Sequence, residues 1–255
     1  MAALEEGRKG SLDRGLMLFD HLAQVREATT SELASAVGIS RSAAYRLVER
    51  LQQAGYLVQG ATGRWRLGPA VSRLASAAVQ SVDIVDVAPE LLRVLAQQTR
   101  ETVGVGVLSG HEIVFVYREL APQSVRVSRE LGARRPLHAT SIGKAYLAGM
   151  PDKERASLIK RLELTPHTSR TITSRAALQA EVAAAVARGW SQEIGEFDDA
   201  AACCGAPVFD HAGQVVGAIS VAGPVQRIEA QLSTIGPLVA ATAGAISRQL
   251  GYDPR

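Results

Sequence analysis

The stretch from Thr29 to Gly55 restricts the fold more than any other part of the chain. Thr29 is followed three residues later by Glu32, the capping-box pattern that opens a helix. Leu33, Ala34 and Val37 turn inward on that short helix, Gly38 stops it, and Ser40 caps the next one. In the next helix Ala44, Leu47, Val48 and Leu51 recur at i, i+3, i+4 and i+7, a single stripe for burial. Arg41, Ser42, Tyr45 and Arg46 fall off that stripe near the helix start, with Ala43 among them. A short helix, a glycine turn and a longer helix make a helix-turn-helix, whose second helix enters a DNA major groove N-terminus first. Leu12, Leu16, Phe19 and Leu22 predict a preceding helix from Ser11 to about Gln24, packed on the other two. After Gly55, "YLVQ" and "WRLG" flank "GATG", two short strands around a glycine-rich turn. That hairpin is a wing, and Arg64 is expected at its tip, on the DNA backbone or minor groove.

Charge agrees with this reading. Residues 38–81 hold six arginines against one acid, Glu49, whereas residues 82–255 hold 18 basic and 18 acidic side chains. A basic block inside an otherwise neutral chain points to a polyanion partner, here double-stranded DNA. Arg41 and Arg46 suit phosphate or the O6/N7 edge of guanine. Ser42 and Tyr45 suit phosphate oxygens, and Arg14 and Thr30, near helix starts, are candidate backbone contacts. A chain of 255 residues that is 47% apolar has room for two cores. It has no apolar run long enough to span a bilayer and no apolar signal core, so a cytoplasmic protein with no membrane partner is expected. Cys203 and Cys204 are adjacent, which suits neither a disulfide nor a zinc site, and no cofactor or metal is expected.

The division expected is a winged helix-turn-helix over 11–68, a linker helix over 69–82 and a second domain over 83–252. Val71, Leu74, Ala75 and Ala78 carry the linker periodicity. In the second domain, strand patterns fall at "TVGVGVL", "EIVFVYREL" and "SVRVSREL", then at "CCGAPVFD" and "QVVGAISVAG". Helices are expected near 141–149, 152–161 and 175–188, with a last one over 226–250. Strands in two batches with helices between them imply an α+β domain on an antiparallel sheet.

Four stretches together carry a family resemblance: the winged helix, "LHATSIGKAYLA" at 137–148, "RGW" at 188–190 and "APVFDHAGQVVGAISVAGP" at 206–224. With them the chain resembles the IclR family of bacterial transcriptional regulators. The resemblance implies a GAF-like, profilin-like effector-binding domain, a small-molecule effector, and homodimers that pair into dimers of dimers. It places the effector over the sheet, against Ser141 and Ile142 before the "GKA" helix, Glu193 after the tryptophan, Cys203 and Ser220. The residues themselves put Val216, Ala218, Ser220 and Ala222 on one strand face, with Val125 and Val127 as an apolar wall. The helix start at Ile142–Lys144 offers free N–H groups to a carboxylate. Family members that take small carboxylates carry aspartate at position 193 and serine at 222; Glu193 and Ala222 here imply a different, more apolar effector, an organic acid or aromatic metabolite.

"SIGK" at 141–144 also fits the Ser-x-x-Lys pattern of acyl-enzyme hydrolases, but the partner motifs S-D-N and K-T-G are absent. A Ser/Lys hydrolase fused to a DNA-binding module is the alternative to the regulator. No catalytic residue is assigned. His138, just before the helix, reads as structural, and Cys203 and Cys204 as small buried strand residues.

Overall fold

In the computed structural model the described residues are 10–74, 83–128 and 130–254. They divide into two compact units, Met1–Ser81 and Val82–Arg255. The first unit runs α1 (Ser11–Val25), α2 (Thr30–Val37), α3 (Arg41–Gln53), β1 (Leu57–Gln59) and β2 (Trp65–Leu67), and a helix α4 begins over 69–74. The rest of the linker helix expected over 69–82 lies outside the described residues.

The caps read from the sequence are formed. Thr29 Oγ1 accepts from the Glu32 N–H at 3.3 Å, and the Glu32 carboxylate accepts from the Thr29 N–H at 2.7 Å. Gly38 closes α2 at φ 68°, a left-handed conformation that glycine adopts without a Cβ clash. Ser40 Oγ accepts from Ala43 N at 3.3 Å to start α3. The core is Leu18, Leu22, Leu33, Val37, Val48, Leu57 and Trp65. β1 and β2 pair antiparallel, and Trp65 also pairs with Ala28, which sews the wing to the chain just before α2.

α1 differs from its expected packing. Leu12 and Leu16 are 75% and 53% exposed, and the inward row is Gly15, Leu18 and Leu22. Both rows have helical spacing. The glycine adds nothing to an apolar count, so the true row was the less conspicuous one.

The second unit is a six-stranded antiparallel sheet between two helical layers. After α5 (Ile84–Thr99) come β3 (Thr102–Ser109), β4 (Glu112–Glu119) and β5 (Arg134–Pro136). Then follow α6 (Ser141–Gly149), α7 (Asp152–Arg161), α8 (Arg175–Arg188) and β6 (Ser191–Ile194). The chain ends with β7 (Ala201–Phe209), β8 (Val215–Pro224), α9 (Val225–Glu229) and α10 (Leu232–Gln249). Strand order is β5-β4-β3-β8-β7-β6. Leu92 and Leu95 of α5 and Val239 and Ile246 of α10 cover one face through Val103, Val105, Ile219 and Val221. Ile142 and Ala145 of α6, with Leu158 and Leu178, cover the other through Ile113, Phe115 and Ala218. The structure thus has the α+β class read from the sequence.

Three strand-level expectations change. The described residues of 124–131 form no strand, because the free edge of β4 is taken by 132–136. Gly132 N donates to Phe115 O at 2.8 Å and Phe115 N to Ala133 O at 3.1 Å. Val125 is left 68% exposed, away from any wall. Ser191–Ile194 is a strand that its short, polar "SQEI" concealed. Val216 does not share a face with Ala218 and Ser220: the β7–β8 register passes from Val208↔Gly217 to Phe209↔Val215, and this bulge sends Val216 to the α5/α10 side. The last helix is broken between α9 and α10 at Ala230–Gln231.

Candidate functional site

On α3, Ala44 and Val48 are buried, and Arg41, Ser42, Tyr45 and Arg46 are exposed on the outer side. The Arg41 guanidinium lies 5.8 Å from the Tyr45 ring centroid, a cation–π pair that limits the freedom of both side chains. Ser42 Oγ is 3.1 Å from Ser40 Oγ, and Ala43 is half-buried. Arg14 is half-buried on α1.

Two residues sit differently from the sequence reading. Thr30 is buried, and its Oγ1 accepts from Trp65 Nε1 at 2.9 Å, so it holds the wing rather than facing a phosphate. Arg64 is not at the wing tip, which is the Gly60–Gly63 turn. Its guanidinium pairs with Glu27 at 3.2 Å and Glu32 at 2.9 Å and donates to the Glu27 carbonyl at 3.3 Å. The hydrogen bond from the Thr29 N–H, with Thr29 Oγ1 and then Arg64, holds the Glu32 carboxyl below its ordinary range. The arginine that β2 exposes is Arg66, which spacing alone did not single out.

In the second unit a cavity of about 80 Å³ opens beside the start of α6. Val127, Ser141, Ile142, Glu193 and Cys203 line it, joined by Arg135, Thr140, Phe197, Asp198 and Ala201. Thr140 Oγ1 caps α6, accepting from Gly143 N at 3.2 Å. A Cβ on Gly205 would lie 2.8 Å from Ser141 O, so α6 begins directly on β7 and its first turn forms the cavity wall. Ser220 is fully buried, flanked in register by Gly104 and Gly205, and does not line the cavity.

Glu193 is the buried carboxyl of the site. Its Oε1 accepts from Glu196 N at 2.6 Å and Phe197 N at 3.2 Å. Burial nevertheless pushes its pKa up, outweighing those bonds. Behind it, Lys144 is fully buried and its Nζ meets Glu196 Oε1 at 2.6 Å. Burial raises the Glu196 carboxyl, and Lys144 pulls it back down. Phe197 stands between Arg135, 4.9 Å from its centroid, and the His167 ring at 4.8 Å. His138 hydrogen-bonds Thr165 O through Nε2 at 3.0 Å, and burial lowers its pKa, which suits a structural imidazole.

The signals for the missed lining residues were partial. Thr140 precedes a helix as an N-cap does, whereas Arg135 and Phe197 reach the cavity only through the β5 edge and the 195–200 segment. The hydrolase pattern finds no geometric support. The Lys144 ammonium is committed to Glu196 rather than to the Ser141 hydroxyl. Burial pushes the Cys204 thiol up to about 12, an inert value. Among the described residues no cluster of His, Cys, Asp and Glu could hold a metal ion, and no helix is long and apolar enough to cross a membrane.

Comparison with known proteins identifies the arrangement. A family described as bacterial transcriptional regulator IclR C-terminal matches residues 76–248, and the IclR helix-turn-helix domain matches residues 11–61. The chain is 30% identical over 250 residues to the transcriptional repressor IclR of Escherichia coli K12, covering 96% of this chain and 91% of that protein. A putative IclR transcriptional regulator from Silicibacter sp. TM1040 superposes with a TM-score of 0.84 at 29% identity, covering 97% of this chain and 98% of that one. The repressor BlcR of Agrobacterium tumefaciens superposes at 0.81 and 26% identity, covering 96% and 98%. With both of its units matched in order, the chain belongs to the IclR family of bacterial transcriptional regulators.

Proposed function

We propose that the chain is a ligand-responsive transcription factor whose operator affinity is set by a small organic acid bound in the cavity beside α6. The observation that carries this reading is the convergence of Val127, Ser141, Ile142, Glu193 and Cys203 on one cavity, in a family of DNA-binding regulators. The first turn of α6 supplies backbone N–H groups to a carboxylate, and its dipole favours the charge. On the DNA side, α3 enters the major groove. Arg46 and Arg41 face base edges or phosphates, Ser42 and Tyr45 face phosphates, and Arg14 lies near the backbone.

Control works by population shift. The protein acts as a homodimer, or a dimer of dimers, whose two winged helices match two half-sites at one spacing. A ligand with different affinity for two arrangements of the pair changes the fraction that fits. A coupling of about 1–3 kcal/mol gives useful regulation. The segment 69–82 joins the two domains, 11–68 and 83–252, and is the transmitter.

The test has two parts. Footprinting on DNA flanking the protein's own gene is expected to protect a palindromic site, and a thermal-shift screen of catabolic metabolites to yield a ligand that changes that protection. Equal, salt-sensitive binding to every duplex would refute sequence-specific regulation. Turnover of an activated ester that disappears in Ser141→Ala would establish the hydrolase instead.

A further inference from the structure

The row of α3 that points away from the core is Ser42, Arg46, Glu49 and Gln53, at i, i+4, i+7 and i+11. All four are exposed, and Ala44, Leu47, Val48 and Leu51 lie on the opposite side. Arg41 and Tyr45 flank the row on one side and Arg50 on the other. A helix in the major groove turns such a row toward the base edges and its flanks toward the phosphates. Glu49 is unexpected on that row, because it is the one acid among residues 38–81. Glu27 and Glu32, the acids beside the wing, are answered by Arg64. The Glu49 carboxylate has no ion pair or hydrogen bond among the described residues, although Arg46 and Arg50 are its neighbours on the helix. A carboxylate held against a polyanion is repelled unless a base offers it a donor.

We infer that Glu49 reads sequence, accepting from a cytosine N4 amino group in each half-site, next to a guanine held by Arg46. The inference rests on the operator binding proposed above and names the bases that it recognises. In the major groove cytosine offers an amino donor and guanine two acceptors. Thymine offers an acceptor and a methyl group, and adenine sets its N7 acceptor beside its donor. A carboxylate only accepts, so cytosine satisfies it and the other three bases oppose it. A guanidinium only donates, so the O6 and N7 of guanine satisfy Arg46. Arg46 and Glu49 are three residues apart, a rise of about 4.5 Å along the helix, against a base-pair step of about 3.4 Å. Their two bases therefore lie in adjacent base pairs. On its cytosine Glu49 adds a hydrogen bond; on any other base only the repulsion remains, so the residue weakens binding to random DNA and sharpens the choice of site. Arg41, stacked on Tyr45, and Arg50 stand on the flanks and contact phosphates, which carry no sequence information.

The experiment is selection of randomised duplexes on the full chain, followed by gel-shift titration of the selected duplex and of a random one. The parent is expected to select a motif whose half-site holds a guanine and, in the adjacent base pair, a cytosine. Glu49→Ala is expected to keep that motif except at the cytosine, where the preference disappears. Its affinity for the selected duplex relative to random DNA is expected to fall about 5–150-fold, while its affinity for random DNA rises above the parent's. Arg46→Ala is expected to lose the guanine and keep the cytosine. Glu49 is exposed and alanine is the stronger helix former, so Glu49→Ala keeps the fold. A motif that Glu49→Ala leaves unchanged overturns the inference, and so does a preference lost at a base other than cytosine. Equal gains in affinity for the selected and the random duplex also overturn it, since they mark a carboxylate acting through charge alone. A parent that selects no motif at all overturns the sequence-specific function proposed above together with this inference, whereas a parent motif indifferent to Glu49→Ala overturns this inference alone.

Discussion

Replacing Arg46 with alanine removes one guanidinium from the exposed side of α3 without touching Ala44 or Val48 beneath it. Operator affinity is expected to fall by about 1–3 kcal/mol if Arg46 grips a base edge. If it grips a phosphate, the slope of log K against log salt is expected to shrink by about 1 in magnitude, equally on all sequences. Ligand affinity stays unchanged in either case, and gel-shift titrations over a salt series read both. Arg64 behaves differently, because its charge is answered inside the unit by Glu27 and Glu32. Arg64→Ala is expected to lower the melting temperature of the winged helix by an amount matching about 1 kcal/mol or less, since the pairs are partly exposed. It leaves the salt slope nearly unaltered. At Glu193 the effect is one of pH. The folded protein raises this carboxyl above its usual value, so its contribution to stability is complete at low pH and is lost as pH rises through the raised value. In the ligand-free protein Glu193→Gln is therefore expected to melt higher than the parent at neutral pH, with the gap closing below the ordinary carboxylate range. A melting series over pH checks it, and a gap that widens on acidification refutes it.

Elements show where local pattern suffices. The caps of α2 and α3, the Gly38 turn and the buried stripe of α3 each depend on residues within about two helical turns, and all were visible in the sequence. Two of the errors came where elements compete for one partner. "SVRVSREL" has a strand's alternation, yet β4 has a single free edge and 132–136 occupies it. α1 has two apolar rows, and the positions of α2 and α3 decide which one is buried. The α6–β7 contact is of the same kind, since Gly205 admits the Ser141 carbonyl against the strand. Gly205→Ala puts a methyl 2.8 Å from that carbonyl oxygen and is expected to push the α6 start outward. Overpacking of this sort costs about 1–3 kcal/mol, or roughly 2–4 °C of melting temperature per kcal/mol. The same variant is expected to lose effector affinity, because Ser141 and Ile142 move with the helix; calorimetry of the folded variant measures it.

At the scale of the whole molecule, the two compact units each have a core of their own. Differential scanning calorimetry is expected to resolve two transitions rather than one. An effector at 100 times its Kd is expected to raise only the transition of Val82–Arg255, by a shift equivalent to about 2.7 kcal/mol. A ligand that lifts the winged-helix transition instead would place its site elsewhere. Fold class, the helix-turn-helix with its wing and the basic helix were within reach of the linear chain, since periodicity, caps and turn residues act over short separations. The cavity was not. Lys144 meets Glu196 across 52 residues, Arg64 meets Glu32 across 32, and Arg135 reaches Phe197 from another strand edge. Such pairs carry no local spacing. They exist only after the elements have packed, when partners are set by distance in space rather than along the chain, and for the fully buried Lys144 a partner is then obligatory.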